Sequence, residues 1–516
     1  MATHSGPSVL LATEGTYPYH RGGVSTWCDT LTTKLSEVDF TLLAITMHPY
    51  LDAQYRLAPN VGELITVPLW GTEDPAEYGR HATFADYLRR WSSTTTRALE
   101  EGYLPMYERL LREIVSPVLP PRSLGLVLLR LHQHLRHYDY DRTHRHPAVW
   151  ECFLAIVDRA WRDAHPDEAP PTLAEVTEAW RLLYRLMLPL SVEIPRVDIA
   201  HSAAAAFCGL PCIIQKVLWG TPYLLTEHGV YLREQYLNLG RQTKSLFVRW
   251  FLTRLVSTIT NLNYAFADQV SPVCHYNTRW ERWHNVDVSR IRVIYNGVDP
   301  VAFSPGWRRP NARPTVVCMG QIFPLKGQRH LIDAAALVRQ VVPDVEFLFY
   351  GSASDDAYFQ ECQNRVAVHG LENHVSFKGL TNEPWAVMRR ADLVASSSIS
   401  EAFPYAIVEA MLTGSTIVAT DVGGVREALG ATGLLVPPND PVAMAEAIAL
   451  LLKWPDGRDR LGHHARERAL QLFTEDRFID AYRASYARLT TPAIVELPEL
   501  EPVAEPEFVL AAAAIA

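Results

Sequence analysis

Residues Ser396 to Glu427 read SSSISEAFPYAIVEAMLTGSTIVATDVGGVRE, and the order of residue types in this stretch decides the fold. Small hydroxyl residues close an apolar strand, and a short loop carries Glu401. A helix is expected to open at Pro404, where a missing amide N–H costs nothing. A second apolar strand follows Gly414. Strand, loop, helix and strand in that order make one unit of a doubly wound α/β sheet, whose ligands bind at the carboxyl ends of the strands. Glu409 follows Glu401 after seven intervening residues, which places it about a turn and a half into the helix. Exposed amides at Phe403, Tyr405 and Ala406, at the positive end of the helix, suit an anion, while the two carboxylates suit neutral hydroxyls. A ligand that combines phosphate with sugar fits both.

Working outward, Thr315–Met319, Val345–Tyr350 and the runs at Val375, Leu393 and Ile417 supply the other strands of the same sheet. The first strand-to-helix loop, GQIFPLKG, holds Lys326, whose ammonium can meet a diphosphate. Residues 303–314, rich in Pro, Arg and Asn, read as a linker. Ahead of it lies a second alternation. Ser8–Thr13, Phe40–Met47, Val61–Leu69, Val197–His201, Pro222–Thr226, Gln269–Pro272 and Ile291–Tyr295 read as strands, and Ser25–Leu35 as the first helix. Gly22 and Gly23 stand at that helix start, where residues without a Cβ let a phosphate or sugar approach the backbone. His228, in TEHGVYL, follows a strand and so lies at the carboxyl edge of this sheet.

The fold class is therefore α/β, with two doubly wound Rossmann-like domains. The expected division is 1–305, 306–473, a final helix over 474–489 and, from its Pro, Glu and Ala content, a disordered tail over 490–516. From about residue 82 to 190 helical spacing replaces the alternation, which marks a helical insertion. Inside it, Asp139-Tyr140-Asp141 reads as a solvated loop. His132, His134, His137, His144 and His146 read as a polar helix end, so no metal site is assigned. Phe247–Ile259 is amphipathic and reads as a sheet-covering helix before a membrane-surface one.

With 516 residues, 48% hydrophobic and 20% charged, the chain has room for sizeable cores. A net charge of −9 argues against nucleic acid as the partner. Seven scattered cysteines read as reduced thiols of a cytoplasmic protein. The N-terminus lacks signal-peptide character, and no apolar run approaches the ~20 residues of a spanning helix.

The pattern Glu401, Phe403-Pro404, Glu409-Ala410-Met411, then Gly423-Gly424-Val425-Arg426-Glu427, resembles the donor site of glycosyltransferase family 4. The string EGTYPYHRGGVSTW, Glu14 to Trp27, resembles the PelF-like branch, the Pel polysaccharide glycosyltransferases. The resemblance implies the GT-B fold and retaining, metal-independent transfer from a nucleoside diphosphate sugar, UDP-glucose first, with no cofactor. It also implies a glycan or polysaccharide acceptor and a membrane-associated polysaccharide assembly complex, with the protein peripheral at the inner face of the cytoplasmic membrane. On this reading Lys326, Glu401 and His228 are catalytic. Gly22, Gly23, Gln321, Phe403, Pro404, Tyr405, Ala406 and Glu409 bind the donor. Gln321 departs from the pattern, which usually has an arginine there, and Arg426 is the cation considered to compensate. A nucleotide-sugar-binding scaffold and a UDP-sugar epimerase or hydrolase are the alternatives.

Overall fold

The computed structural model describes residues 6–72, 83–242, 245–306 and 311–491. Strands β1 (Ser8–Glu14), β2 (Asp39–Thr46), β3 (Val61–Pro68), β4 (Ile199–Ser202), β5 (Tyr223–Glu227) and β6 (Gln269–Pro272) form one sheet in the order β3-β2-β1-β4-β5-β6. Strands β7 (Thr315–Met319), β8 (Glu346–Tyr350), β9 (Val375–Gly379), β10 (Leu393–Ser396), β11 (Ile417–Thr420) and β12 (Leu434–Val436) form the other, in the order β12-β11-β10-β7-β8-β9. All the strand pairs are parallel. The central strands are apolar on both faces because helices cover both; Val9 to Ala12 are each fully buried.

The helical insertion lies between β3 and β4, and its main helices are Phe84–Ser93, Leu104–Val115, Leu124–His137, Pro147–Ala164 and Leu173–Leu186. It shares one apolar core with the first sheet rather than standing apart from it. The Asp139-Tyr140-Asp141 segment is not a solvated loop. Asp139 caps the helix Tyr140–His144, Tyr140 is buried, and Asp141 accepts the Tyr184 hydroxyl. Of the histidines, His132, His134 and His144 are buried rather than part of a polar helix end, while His137 is exposed at the end of its helix and His146 caps the next one. The His132 ring lies 2.8 Å from the Leu190 carbonyl, and His144 bridges the Tyr140 carbonyl and the Tyr103 hydroxyl, 2.9 Å from each. Burial pushes the His134 and His144 imidazoles down to about 4, so both are neutral core residues.

One further expectation changes. Residues 291–295 form a single bridge, Val270 to Ile291, instead of a strand. The final helix expected over 474–489 spans Glu475–Thr490 and follows helix Pro455–Leu472 after a short break. The break is held from outside: Val298 N–H donates to the Phe473 carbonyl and the Glu475 N–H donates to the Val298 carbonyl, each at 3.0 Å. Helix Leu246–Phe266 is buried over most of its length, as a sheet-covering helix is. Among the described residues no helix is long and apolar enough to cross a membrane. Residues 307–310 of the expected linker and 492–516 of the expected tail lie outside the described residues.

Helix Glu475–Thr490 returns to the first sheet, where Phe478, Ile479, Tyr482 and Tyr486 pack with Val9, Leu11 and Trp27. A buried polar chain joins it to the strands. The Tyr486 hydroxyl lies 2.7 Å from His201 Nδ1, His201 Nε2 lies 2.8 Å from Thr226 Oγ1, and Thr226 Oγ1 lies 2.9 Å from the Tyr482 hydroxyl. A Cβ at Gly297 would stand 2.5 Å from the Phe478 Cβ, so the chain passes under this helix only as glycine. Truncating Phe478 to Ala is expected to remove about 3–5 kcal/mol of stability, read by chemical denaturation followed by tryptophan fluorescence; a loss below about 1 kcal/mol would show that the returning helix is not part of the cooperative unit.

Candidate active site

The carboxyl ends of the two sheets face one another across a cavity of about 1010 Å3. Every residue assigned to catalysis or donor binding from the sequence lines it: Gly22, Gly23 and His228 from the first sheet, and Gln321, Lys326, Glu401, Phe403, Pro404, Tyr405, Ala406 and Glu409 from the second.

The Lys326 loop and the Glu401 loop are built as one piece. The Ile399 N–H donates to the Leu325 carbonyl at 2.7 Å, and the Ser397 hydroxyl to the Lys326 carbonyl at 3.0 Å. Gly327 has φ +62°, and a Cβ there would stand 2.2 Å from the Ser397 carbonyl oxygen. Both facts demand glycine. The side chains then meet: Lys326 Nζ lies 2.5 Å from Glu401 Oε1, which also accepts the Ser398 hydroxyl at 2.6 Å. The ammonium and the carboxylate assigned separately to diphosphate and sugar are an ion pair.

The helix opens one residue later than its sequence indicates. It spans Tyr405–Leu412, and Pro404 precedes it in extended conformation, with φ −76° and ψ 124°. The free first-turn amides are thus those of Tyr405 and Ala406, since the Ile407 N–H already donates to the Pro404 carbonyl. Phe403 is buried between the Tyr295 and Phe473 rings, at centroid distances of 5.1 and 5.2 Å, and serves mainly to seat the turn. From the opposite wall, a Cβ at Gly23 would lie 3.4 Å from the Tyr405 ring, so the Gly-Gly turn comes close to the helix start.

Burial sets the charge state of the two remaining groups. It raises the Glu409 carboxyl to about 7 and pushes the His228 imidazole down to about 3. His228 is therefore neutral; its ring stands edge-on to Trp27 at 4.7 Å, and its Nε2 has no hydrogen-bond partner among the described residues.

Sequence reading missed the cavity lining from Arg233, Asn238, Tyr276 and Trp280. The first two lie on helix Tyr231–Gln242, immediately after the His228 loop, a position that was itself the available signal. Arg426, in contrast, does not line the cavity. It is an exposed partner of Asp421 and so does not stand in beside Gln321. Its neighbour Glu427 spans the domains: the carboxylate accepts the His275 and Tyr276 amides, at 2.8 and 3.1 Å, and the Tyr295 hydroxyl at 2.6 Å.

Two parallel six-stranded sheets with helices on both faces and a shared crevice define a two-domain α/β protein of the GT-B class. The solved structure of HepE from Anabaena in complex with UDP-glucose has this fold: TM-score 0.56 and 16% identity, over 93% of this chain and 100% of that one. The chain belongs to the family described as domain of unknown function DUF3492, whose model matches residues 7–289. Residues 302–468 match the model for glycosyl transferases group 1. Among curated relatives, the D-inositol 3-phosphate glycosyltransferase of Corynebacterium efficiens is 28% identical over 275 residues, 50% of this chain and 63% of the relative. That of Pseudarthrobacter chlorophenolicus is 30% identical over 343 residues, 63% of this chain and 77% of the relative. The chain thus spans less than two thirds of the Corynebacterium protein.

A raised carboxyl pKa destabilises the folded state only where the unfolded chain has ionised and the folded one has not. The Glu409 contribution is therefore neutral below about 4.5, grows more unfavourable as pH rises to about 7, and is level above that. Glu409→Gln should match wild-type denaturation midpoints at pH 4 and exceed them at pH 8; parallel midpoints across that window would show that burial does not hold this carboxyl up.

Proposed function

We propose that this protein is a retaining, metal-independent glycosyltransferase that moves a sugar, glucose from UDP-glucose in the first instance, to a glycan acceptor. The observation that carries this reading is the single cleft in which the Lys326–Glu401 pair, the Tyr405 helix start, Glu409, the Gly22-Gly23 turn and His228 converge. The match of residues 302–468 to the glycosyl transferases group 1 model supports it. The fold shared with a protein solved with UDP-glucose supports the choice of donor.

In this reading the diphosphate lies against the Tyr405 and Ala406 amides and the Lys326 ammonium. Glu409 accepts the ribose hydroxyls, and Glu401 accepts hydroxyls of the transferred sugar. The bond between the anomeric carbon and the β-phosphate oxygen breaks with its electron pair left on the phosphate. The acceptor oxygen bonds to the anomeric carbon on the same face, and its proton passes to the departing phosphate. Neutral His228 has a free ring nitrogen for a sugar hydroxyl and takes no proton in this step. Lys326 stabilises the charge that develops on the leaving group. Catalysis then needs no metal, and the resident groups bind and orient.

Relatives are named for small phosphorylated acceptors, inositol 3-phosphate among them. A glycan is favoured here because Tyr276 and Trp280 present aromatic surface to the cavity, and aromatic faces pack on the apolar faces of sugar rings. A PelF-like role, with a membrane-associated assembly complex at the inner membrane face, extends the same reading. Neutral Gln321 favours one other: a scaffold that binds UDP without turnover.

UDP release from a panel of sugar nucleotides, with and without chelator, tests the proposal. UDP should appear from one donor, persist in chelator, and fall about 10²–10³-fold in Lys326→Ala, with a large loss in Glu401→Ala. UDP binding with no release from any donor would replace the transferase with the scaffold. A second consequence concerns pH. Ribose binding favours ionised Glu409, so wild-type UDP affinity should rise from pH 6 to pH 8 and be flat in Glu409→Gln by calorimetric titration. Equal wild-type affinities at the two pH values would remove Glu409 from the ribose site.

A further inference from the structure

Three cationic side chains line the cavity among the described residues: Arg21, Arg233 and Lys326. A sugar nucleotide brings a diphosphate with about two negative charges, and the cation nearest the donor loop, Lys326, is already held by Glu401 at 2.5 Å. Gln321, on the strand-to-helix loop beside it, is neutral. Of the carboxylates that line the cavity, Asp421 is held by Arg426, and Glu409 is uncharged for part of the population at neutral pH. Glu234, next to Arg233 on its helix, is the remaining acid.

Arg233 is placed differently from the other two. It rises from helix Tyr231–Gln242 of the first domain and crosses the cleft. Its Nη1 donates to the Ser400 hydroxyl of the second domain at 2.9 Å, one residue before Glu401. A neutral hydroxyl uses one of the five guanidinium N–H donors. The rest of that planar fork matches an anionic oxygen pair, phosphate or carboxylate, better than any other ligand chemistry. Ser400 thus acts as a perch that holds the guanidinium half-buried at the mouth of the donor loop.

We propose that Arg233 is the second cation of the donor site, delivered by the opposite domain, and that it binds an anionic oxygen of the sugar nucleotide. That oxygen belongs either to the diphosphate or to a carboxylate on the transferred sugar. The proposal rests on the donor-site reading of the cleft. It also assigns the charge that Gln321 does not supply, and it makes donor binding dependent on closure, because the cation and the Lys326–Glu401 pair sit on different domains.

The test is calorimetric titration of the full chain with UDP, UDP-glucose and UDP-glucuronate, in wild type, Arg233→Gln and the double variant Arg233→Gln/Gln321→Arg. With the diphosphate as target, Arg233→Gln weakens all three ligands, on the order of tenfold to a hundredfold for one charge-assisted contact, and the double variant recovers most of the loss. With a sugar carboxylate as target, Arg233→Gln weakens UDP-glucuronate alone. Unchanged binding of all three ligands in Arg233→Gln overturns the proposal and leaves the donor-site reading standing. A weakening of all three that Gln321→Arg does not recover also overturns it, because a lost Arg233–Ser400 contact, unlike a lost charge, is not replaced by a cation on the far wall. Wild-type protein that binds none of the three overturns the donor-site reading itself, and this proposal with it.

Discussion

The clamp around Val298 is the constraint on which the rest depends. The groups of the cleft sit on loops and helices that follow the carboxyl ends of parallel strands, and the strands belong to two sheets, so the site exists only where the sheets are held face to face. Val298 does this by exchanging backbone hydrogen bonds with Phe473 and Glu475, at the point where the penultimate helix stops and the last one starts. Gly297 lets the chain pass beneath Phe478, and the last helix then buries four large side chains against the first sheet. Backbone hydrogen bonds set the geometry, and apolar burial supplies most of the free energy that keeps it, about 2 kcal/mol for each large side chain fully removed from water. The Glu427 carboxylate adds a polar tie on the cleft side, between the GGVRE turn and residues 275–276.

Within that frame, the cavity is close to electrically balanced. Lys326 is matched by Glu401, His228 is neutral, and Glu409 titrates near neutrality. A partly buried ion pair gains Coulomb energy and loses hydration, so its net contribution to stability is small, while removing one partner leaves the other poorly solvated. The pair therefore matters more for position than for stability. It fixes the ammonium against the Glu401 loop, where both residues line the cavity. A dianionic ligand entering such a site needs a cation that the resting protein does not already use, and Arg233, bonded to a hydroxyl, meets that requirement better than Lys326 does.

How far the sequence was readable follows from the range of each signal. The Glu401 loop and the Gly22-Gly23 turn were legible because residue type and order carry the signal: glycines at a helix start, and two carboxylates spaced across a loop and the helix that follows it. Parallel strands were legible as apolar runs. What failed was set by distant partners. Nothing near Asp139 announces that Tyr184 will cover the neighbouring Asp141, or that Tyr103 will engage His144, so charged and imidazole groups in the insertion read as solvated. Residues 291–295 have strand composition but only one bridge, because they run on towards the clamp at Val298. Arg233 stands just after the His228 loop, but its bond across the cleft was not legible for the same reason: its partner, Ser400, lies 167 residues away in the other domain.

The insertion bears on the cleft through a physical route. Glu175 completes a capping box with Thr172 at the start of helix Leu173–Leu186, and its other oxygen accepts the Ser245 hydroxyl at 2.6 Å. Ser245 is itself the cap of helix Leu246–Phe266. One carboxylate thus joins the starts of an insertion helix and of the helix that covers the first sheet. The aromatic contacts run the same way: Phe153 meets Phe251 at 5.4 Å, and Trp161 meets Phe247 and Trp250 at 5.5 Å each. Helix Leu246–Phe266 in turn backs helix Tyr231–Gln242, which carries Arg233 and Asn238 into the cavity. A densely packed interior transmits displacement because it has no free volume in which to absorb it. The insertion packs behind the helix pair that forms the wall opposite the Glu401 loop, and its contacts thus support that wall.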